Sequence, residues 1–161
     1  MIICGTGHRP DKLGGYSHEA KAKLIGIAND WLDYQQQQSK VVTRVISGGA
    51  LGWDQALAQA ALDNNIPLTL ALPFEGFECK WPRESQEYLH SLMNSADVVF
   101  VCEPGYAPWK MQERNRWMVD NADRVLALWN GTIGGTANCI TYADKVRKPV
   151  INLWSYYEHQ S

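Results

Sequence analysis

The sequence predicts an α/β protein built on a doubly wound, mostly parallel sheet of about six strands with helices on both faces. Two observations carry that reading. Short runs rich in Val, Ile and Leu alternate with amphipathic stretches almost to the end of the chain, and each run is closed by Gly, Pro, Ser or Asn. Strand and helix repeated in that order require right-handed crossovers between parallel strands, and such a sheet must be covered on both sides. The composition agrees: 161 residues, 45% hydrophobic and 20% charged, belong to one ordinary globular domain over residues 1–161, long enough to bury roughly 70% of its unfolded surface without a metal or disulfide staple.

The strand runs are Ile2–Cys4, Val41–Ile46, Leu68–Leu72, Asp97–Val101, Arg124–Leu128 and Val150–Leu153. Between the first two, Leu24, Ile27, Ala28 and Trp31 recur at the spacing of one helix face; the Gln35–Gln38 run that follows reads as a solvated loop. Trp53, Leu57, Ala60 and Ala61 form the second helical stripe, and Tyr88, Leu89, Leu92 and Met93 the third. Met111, Met118 and Ala122 form the fourth, and Ala137, Ile140 and Thr141 begin the fifth. The stretch from Glu103 to Lys110, with Pro104, Gly105 and Pro108, is a loop long enough to contribute to a site.

Charge and cysteine content narrow the function classes. Fifteen Lys and Arg against seventeen Asp and Glu give a net charge of −2, which argues against tracking a nucleic-acid backbone and makes nucleic acid an unlikely partner, while leaving room for a local anion site. Cys4, Cys79, Cys102 and Cys139 form no C-x-x-C pair and are joined by four histidines, so no metal site is expected. The N-terminus reads as a strand rather than a signal segment. With no apolar run of membrane-spanning length, a cytoplasmic protein that does not engage membranes is expected.

In an open parallel sheet ligands bind beyond the carboxyl ends of the strands, where strand order reverses. Three strands lead into glycine-dense segments: Gly5-Thr6-Gly7-His8-Arg9-Pro10, Ser47-Gly48-Gly49 running on to Gly52-Trp53-Asp54, and Trp129 through Gly134-Gly135-Thr136. Glycine lets a ligand approach backbone N–H groups, and a helix start adds unpaired donors and partial positive charge. Three such turns on one edge, with the Thr6, Ser47 and Thr136 hydroxyls, His8 and Arg9, predict a site for a phosphate-bearing ligand. Neither the dinucleotide fingerprint nor the P-loop is present, and the first turn has Pro10 where the third glycine of the fingerprint is needed. Trp109 and Trp129, fixed by no helix-face period, are the base-stacking candidates, with packing the alternative for each.

The run from Ser47 to Asp54, continued by Ala58 and Ala61-Leu62, resembles the S-G-x-A-x-G-x-D signature of the DNA-processing protein A (Smf) family. Met111 to Asn115 with Met118, then Asn121 to Leu128 and Gly134-Gly135-Thr136, is similar to the pattern of the Lonely Guy family. Both belong to the SLOG superfamily of Rossmann-like nucleotide-binding domains, and the resemblance spans nearly the whole chain. Its small stand-alone YpsA-like and phage-encoded members are most similar, through G-x-G-H-R-P at the start, P-W-K-M-Q before Arg114 and G-G-T-A-N-C after the fifth strand. The resemblance implies ligand contacts from Arg114, Asn115 and Asn138. Lonely Guy enzymes cleave the N-glycosidic bond of a nucleoside monophosphate and carry a glutamate where this chain has Cys139.

Three functions follow as expectations. The first is binding of a nucleotide or nucleotide-derived ligand (a nucleoside phosphate, ADP-ribose or NAD-like molecule, or cyclic nucleotide) as sensor, carrier or sequestering protein, with no further cofactor required. The second is an N-glycosidase in which a relocated carboxylate serves: Glu75, flanked by Phe74 and Phe77, or Glu113, with Asp54 also in range; each has a capping or solvent-facing role as its alternative. The third and least favoured is single-stranded DNA binding. Arg114 is expected at the mouth of the cleft, binding phosphate, with little effect on stability when truncated. Adjacent Trp117 and Met118 cannot both face the sheet, which suggests a homodimer.

Overall fold

The computed structural model describes residues 1–160. Its six strands form one sheet in the order β4-β3-β2-β1-β5-β6, and every neighbouring pair is parallel. These are β1 (Ile2–Gly7), β2 (Arg44–Ser47), β3 (Leu68–Leu72), β4 (Asp97–Phe100), β5 (Arg124–Leu128) and β6 (Val150–Asn152). The helices are α1 (His18–Gln36), α2 (Trp53–Asp63), α3 (Arg83–Asn94), α4 (Pro108–Asp120), α5 (Gly135–Lys145) and the short α6 (Trp154–Glu158). The chain winds outward from β1 through β4, then crosses back to lay β5 on the other side of β1. The reversal point therefore lies between β1 and β5.

Alternate residues of each strand serve opposite faces. Ile3, Val45, Leu70 and Leu126 pack under α1, α2 and α3, with Trp154 and Tyr157 of α6 beside them. Cys4, Ile46, Ala71 and Val125 face the other way, towards Met118, Val119 and Ala122 of α4 and its end and Cys139 and Ala143 of α5. The second layer is made mostly of small side chains, which brings α4 and α5 close to the sheet.

Several local expectations need correction. Gly5, Thr6 and Gly7 belong to β1 itself and not to a turn. Their glycines serve packing: a Cβ at Gly5 would lie 2.5 Å from Leu57 Cδ2, and one at Gly7 would lie 2.6 Å from Trp53 Cβ. The fully buried Trp53 fills that space and donates its indole N–H to Leu126 O at 3.3 Å. Gln35 and Gln36 are in α1, where their side chains bond Lys40 O and the Val42 backbone, so half of the glutamine run is a helix end tied to the next segment. In α5 the buried stripe is Cys139, Ile140 and Ala143, and Thr141 is exposed. No helix among the described residues is long and apolar enough to cross a membrane.

Candidate functional site

A cleft of about 340 Å3 opens at the carboxyl ends of β1 and β5, at the reversal point of the sheet. Its floor is the end of β1, where Thr6 is buried. One wall is His8, Arg9, Asp11 and Lys12; the opposite wall is the segment from Thr132 to Thr136; Ala50 and Asp54 close it from the β2 side, and Met111, Arg114, Asn115 and Met118 of α4 from below. Helix α5 begins at Gly134, which has φ of +145° and leaves the helix start without a side-chain cap. The first-turn N–H groups, which have no partner within the helix, thus stand on the same cleft as exposed Arg9 and Lys12, the latter donating to Thr132 Oγ at 3.1 Å.

His8 joins the two walls. Its backbone N–H donates to Leu128 O at 3.2 Å, and its ring Nε2 lies 3.0 Å from the Asn130 N–H and 2.8 Å from Asn130 Oδ1. With Nε2 bare the ring accepts from the backbone N–H, whereas with a proton on Nε2, in the neutral Nε2–H tautomer or the imidazolium, it donates to Asn130 Oδ1. Burial lowers the His8 pKa, with Asn130 opposing, which favours the neutral ring at pH 7.

Two buried side chains of opposite charge, Asp54 and Arg114, stand on the cleft lining without forming a direct ion pair. Burial pushes the Asp54 carboxyl up to about 6, against the pull of the Arg114 guanidinium, and burial likewise lowers Arg114. Arg114 donates from Nη1 to Gly48 O at 2.5 Å and Ala71 O at 3.4 Å, and from Nε to Asn115 Oδ1 at 3.0 Å. A methyl group at Gly48 would sit 2.7 Å from Arg114 Nη1 and 2.8 Å from Asp54 Oδ2. Ser47 Oγ donates to Asp54 O at 2.6 Å and accepts from the Gly49 N–H at 3.2 Å. Burial pushes the Cys139 thiol up to about 11, with the neighbouring Thr6 side chain opposing.

The expected site residues therefore divide. Gly5, Thr6, Gly7, His8, Arg9, Asp54, Arg114, Asn115, Gly134, Gly135 and Thr136 line the cleft. Ser47, Gly48 and Gly49 lie behind it and brace Asp54 and Arg114, so their glycines make room for side chains and not for a ligand. Arg114 is 6% exposed, with its fork turned on backbone carbonyls, contrary to the expected mouth position. Glu75 is exposed beyond β3, in a separate groove with Phe100 and Trp109; Glu113 pairs with Arg116 at 2.8 Å outside the cleft. Neither carboxylate reaches the cleft. Trp109 is 61% exposed in the Glu75 groove. Trp129 donates its indole N–H to Thr132 O at 2.8 Å and braces the loop instead of lining the cleft. Asn138 is exposed one helical turn down α5, its carbonyl accepting from Gln112. Lys12, Thr132 and Ile133 went unselected, although Lys12 follows closely on the Gly-His-Arg-Pro run.

Residues 3–149 match the sequence pattern of one family over most of the chain. The chain belongs to the YspA SLOG family. Among relatives of this SLOG chain is the SPbeta prophage-derived protein YoqJ of Bacillus subtilis, 29% identical over 142 residues that cover 78% of this chain and 80% of YoqJ. Among solved structures, DNA processing protein A (DprA) of Streptococcus pneumoniae superposes with a TM-score of 0.66 at 17% identity, covering 94% of this chain and 49% of that one. DprA of Helicobacter pylori, described for its single-stranded DNA binding mode, gives 0.67 at 19% identity, with 94% of this chain and 64% of that one covered. The SLOG chain thus spans about half to two thirds of the two DprA chains and shares their fold. Among its described residues no three His, Cys, Asp or Glu side chains are grouped to hold a metal.

Proposed function

We propose that the cleft binds a nucleotide or nucleotide-derived ligand bearing phosphate and ribose, and that the protein works as a sensor, carrier or sequestering protein for it. The observation that carries this reading is that the uncapped start of α5 and the exposed Arg9 and Lys12 line one cleft. Helix N–H donors, partial positive charge, the exposed Arg9 and the Lys12 ammonium held at the rim by Thr132 line one volume, which is the chemistry a phosphate requires. Asp54 and Asn115 on the lower wall offer polar groups to ribose hydroxyls. Titration calorimetry against nucleoside phosphates, ADP-ribose, NAD and cyclic dinucleotides tests it: micromolar binding of at least one supports the reading, and no binding across the set refutes it.

A second reading is hydrolysis of a nucleotide to free base and sugar phosphate. It is favoured by Asp54, a buried carboxylate on the cleft with a raised pKa, suited to proton transfer or to stabilising positive charge on the sugar. Chromatographic release of base, lost in Asp54→Asn while ligand binding persists, supports it; no release from any bound nucleotide rejects it. The H. pylori DprA likeness keeps single-stranded DNA as a third ligand, tested by salt-dependent retention on oligonucleotides. We place the protein in the cytosol as a homodimer, in keeping with four free cysteines and the half-buried Trp117 beside buried Met118; a monomeric mass by light scattering contradicts the dimer.

A further inference from the structure

Ile133 is the most exposed large apolar residue described, at 94%, and it stands on the lip of the cleft. A loose loop would make that unremarkable, but this loop is tied down. The preceding residue, Thr132, is held at every polar atom. Its N–H and Oγ donate to Asn130 Oδ1 at 3.1 and 2.6 Å, its Oγ accepts from Lys12 Nζ at 3.1 Å, and its carbonyl accepts from the Trp129 indole at 2.8 Å. The following residue, Gly134, is the N-cap of α5. Four hydrogen bonds on one side and a helix start on the other hold an isoleucine out in water, beside the donors assigned above to phosphate.

We infer that Ile133 is the apolar surface on which the base of a cleft-bound nucleotide packs, making it a residue that selects ligands carrying a base over bare sugar phosphates. This rests on the phosphate reading of the α5 start. Two residues of chain span at most about 7 Å, so Ile133 and the Gly135 N–H lie close enough for one nucleotide to touch both, phosphate at the helix start and base on the isoleucine. A β-branched side chain presents a stiff, broad face to a flat ring. The tryptophans leave this role open, because Trp109 lines another groove and the Trp129 indole is engaged with Thr132.

The experiment compares wild type with Ile133→Ser by calorimetry, using the four ribonucleoside 5′-monophosphates and ribose 5-phosphate, with thermal melts and light scattering alongside. The expected result is a roughly five- to thirtyfold loss of affinity for the monophosphate that binds best, from apolar contact forfeited. Ribose 5-phosphate affinity and melting temperature stay unchanged. Equal losses for both ligands, or no loss for either, overturn the inference while leaving the phosphate reading standing. Conversion of a dimer to a monomer by Ile133→Ser also overturns it, since the residue would then cover a second copy. Wild type that binds neither monophosphates nor ribose 5-phosphate overturns the inference, and the underlying reading falls with it only when ADP-ribose, NAD and the cyclic dinucleotides fail to bind as well.

Discussion

Replacing Arg114 by alanine should destabilise the protein strongly, and more so in base than in acid. The guanidinium is buried and hydrogen-bonded to Gly48 O, Ala71 O and Asn115, with Asp54 as its counter-charge. Truncation leaves two carbonyls short of a donor and a buried carboxylate without a cation. Leaving a buried charge without compensation costs about 3–5 kcal/mol, which for a domain of this length lowers the melting temperature by roughly 6–20 °C. Asp54 already titrates near 6 with Arg114 holding it down; without Arg114 its folded pKa rises further. A carboxyl whose folded pKa lies above its unfolded value contributes stability that is complete below the unfolded pKa and is lost as pH climbs through the folded one. The deficit of Arg114→Ala should therefore be full at pH 8 and shrink towards pH 5, and adding Asp54→Asn should recover part of it at pH 8. Urea unfolding at the two pH values reads this directly. A loss under about 1 kcal/mol at pH 8, the scale of an exposed ion pair, or a loss independent of pH, refutes the reasoning.

Asp54→Asn alone should gain about 2 kcal/mol on wild type between pH 4 and pH 7, the part of the shift from the ordinary carboxylate value to about 6 that falls within that range; parallel urea curves across it contradict the prediction. Gly7→Ala should cost about 1–3 kcal/mol, because its Cβ would meet Trp53 at 2.6 Å, and a neutral effect in denaturant unfolding would show that Trp53 can yield. Glu75→Gln and Glu113→Gln should leave ligand affinity within twofold, since both carboxylates lie outside the cleft; a tenfold loss from either would move the site. Trp129→Phe removes the 2.8 Å bond to Thr132 O and should weaken ligand binding through the loosened lip, seen as faster amide exchange at residues 131–134.

Strand positions and most helix stripes were legible because apolar periodicity reports burial directly. Arg114 was not, for an instructive reason. The buried face of α4 runs Lys110, Arg114, Met118, and two of those three are cations, so a stripe sought among apolar residues settled on Met111 and Met118 and turned the helix by a fraction of a turn. The burial becomes possible only because Gly48, in the loop just past the end of β2, has no side chain. Glu75 failed through strand order: β3 is separated from β1 by β2, so its loop opens away from the reversal point, and lateral order is not written in local pattern. In Gly5-Thr6-Gly7 glycine read as a turn because its commonest use is conformational, whereas here it accommodates an indole. Ile133 left no periodic trace at all, being a single apolar residue in a loop.

The joining of His8 to Asn130 bridges 122 positions in sequence, and β1 acquires its second neighbour only with β5. Until residues 124–128 are in place, the innermost strand of the finished sheet is an open edge, its backbone groups on that side unpaired. Any chain cut short before that point carries the Gly-His-Arg-Pro wall with nothing opposite. The cleft is thus a property of the completed winding, and a molecule that binds it draws its stabilisation from the last crossover, opposing global unfolding instead of local fraying.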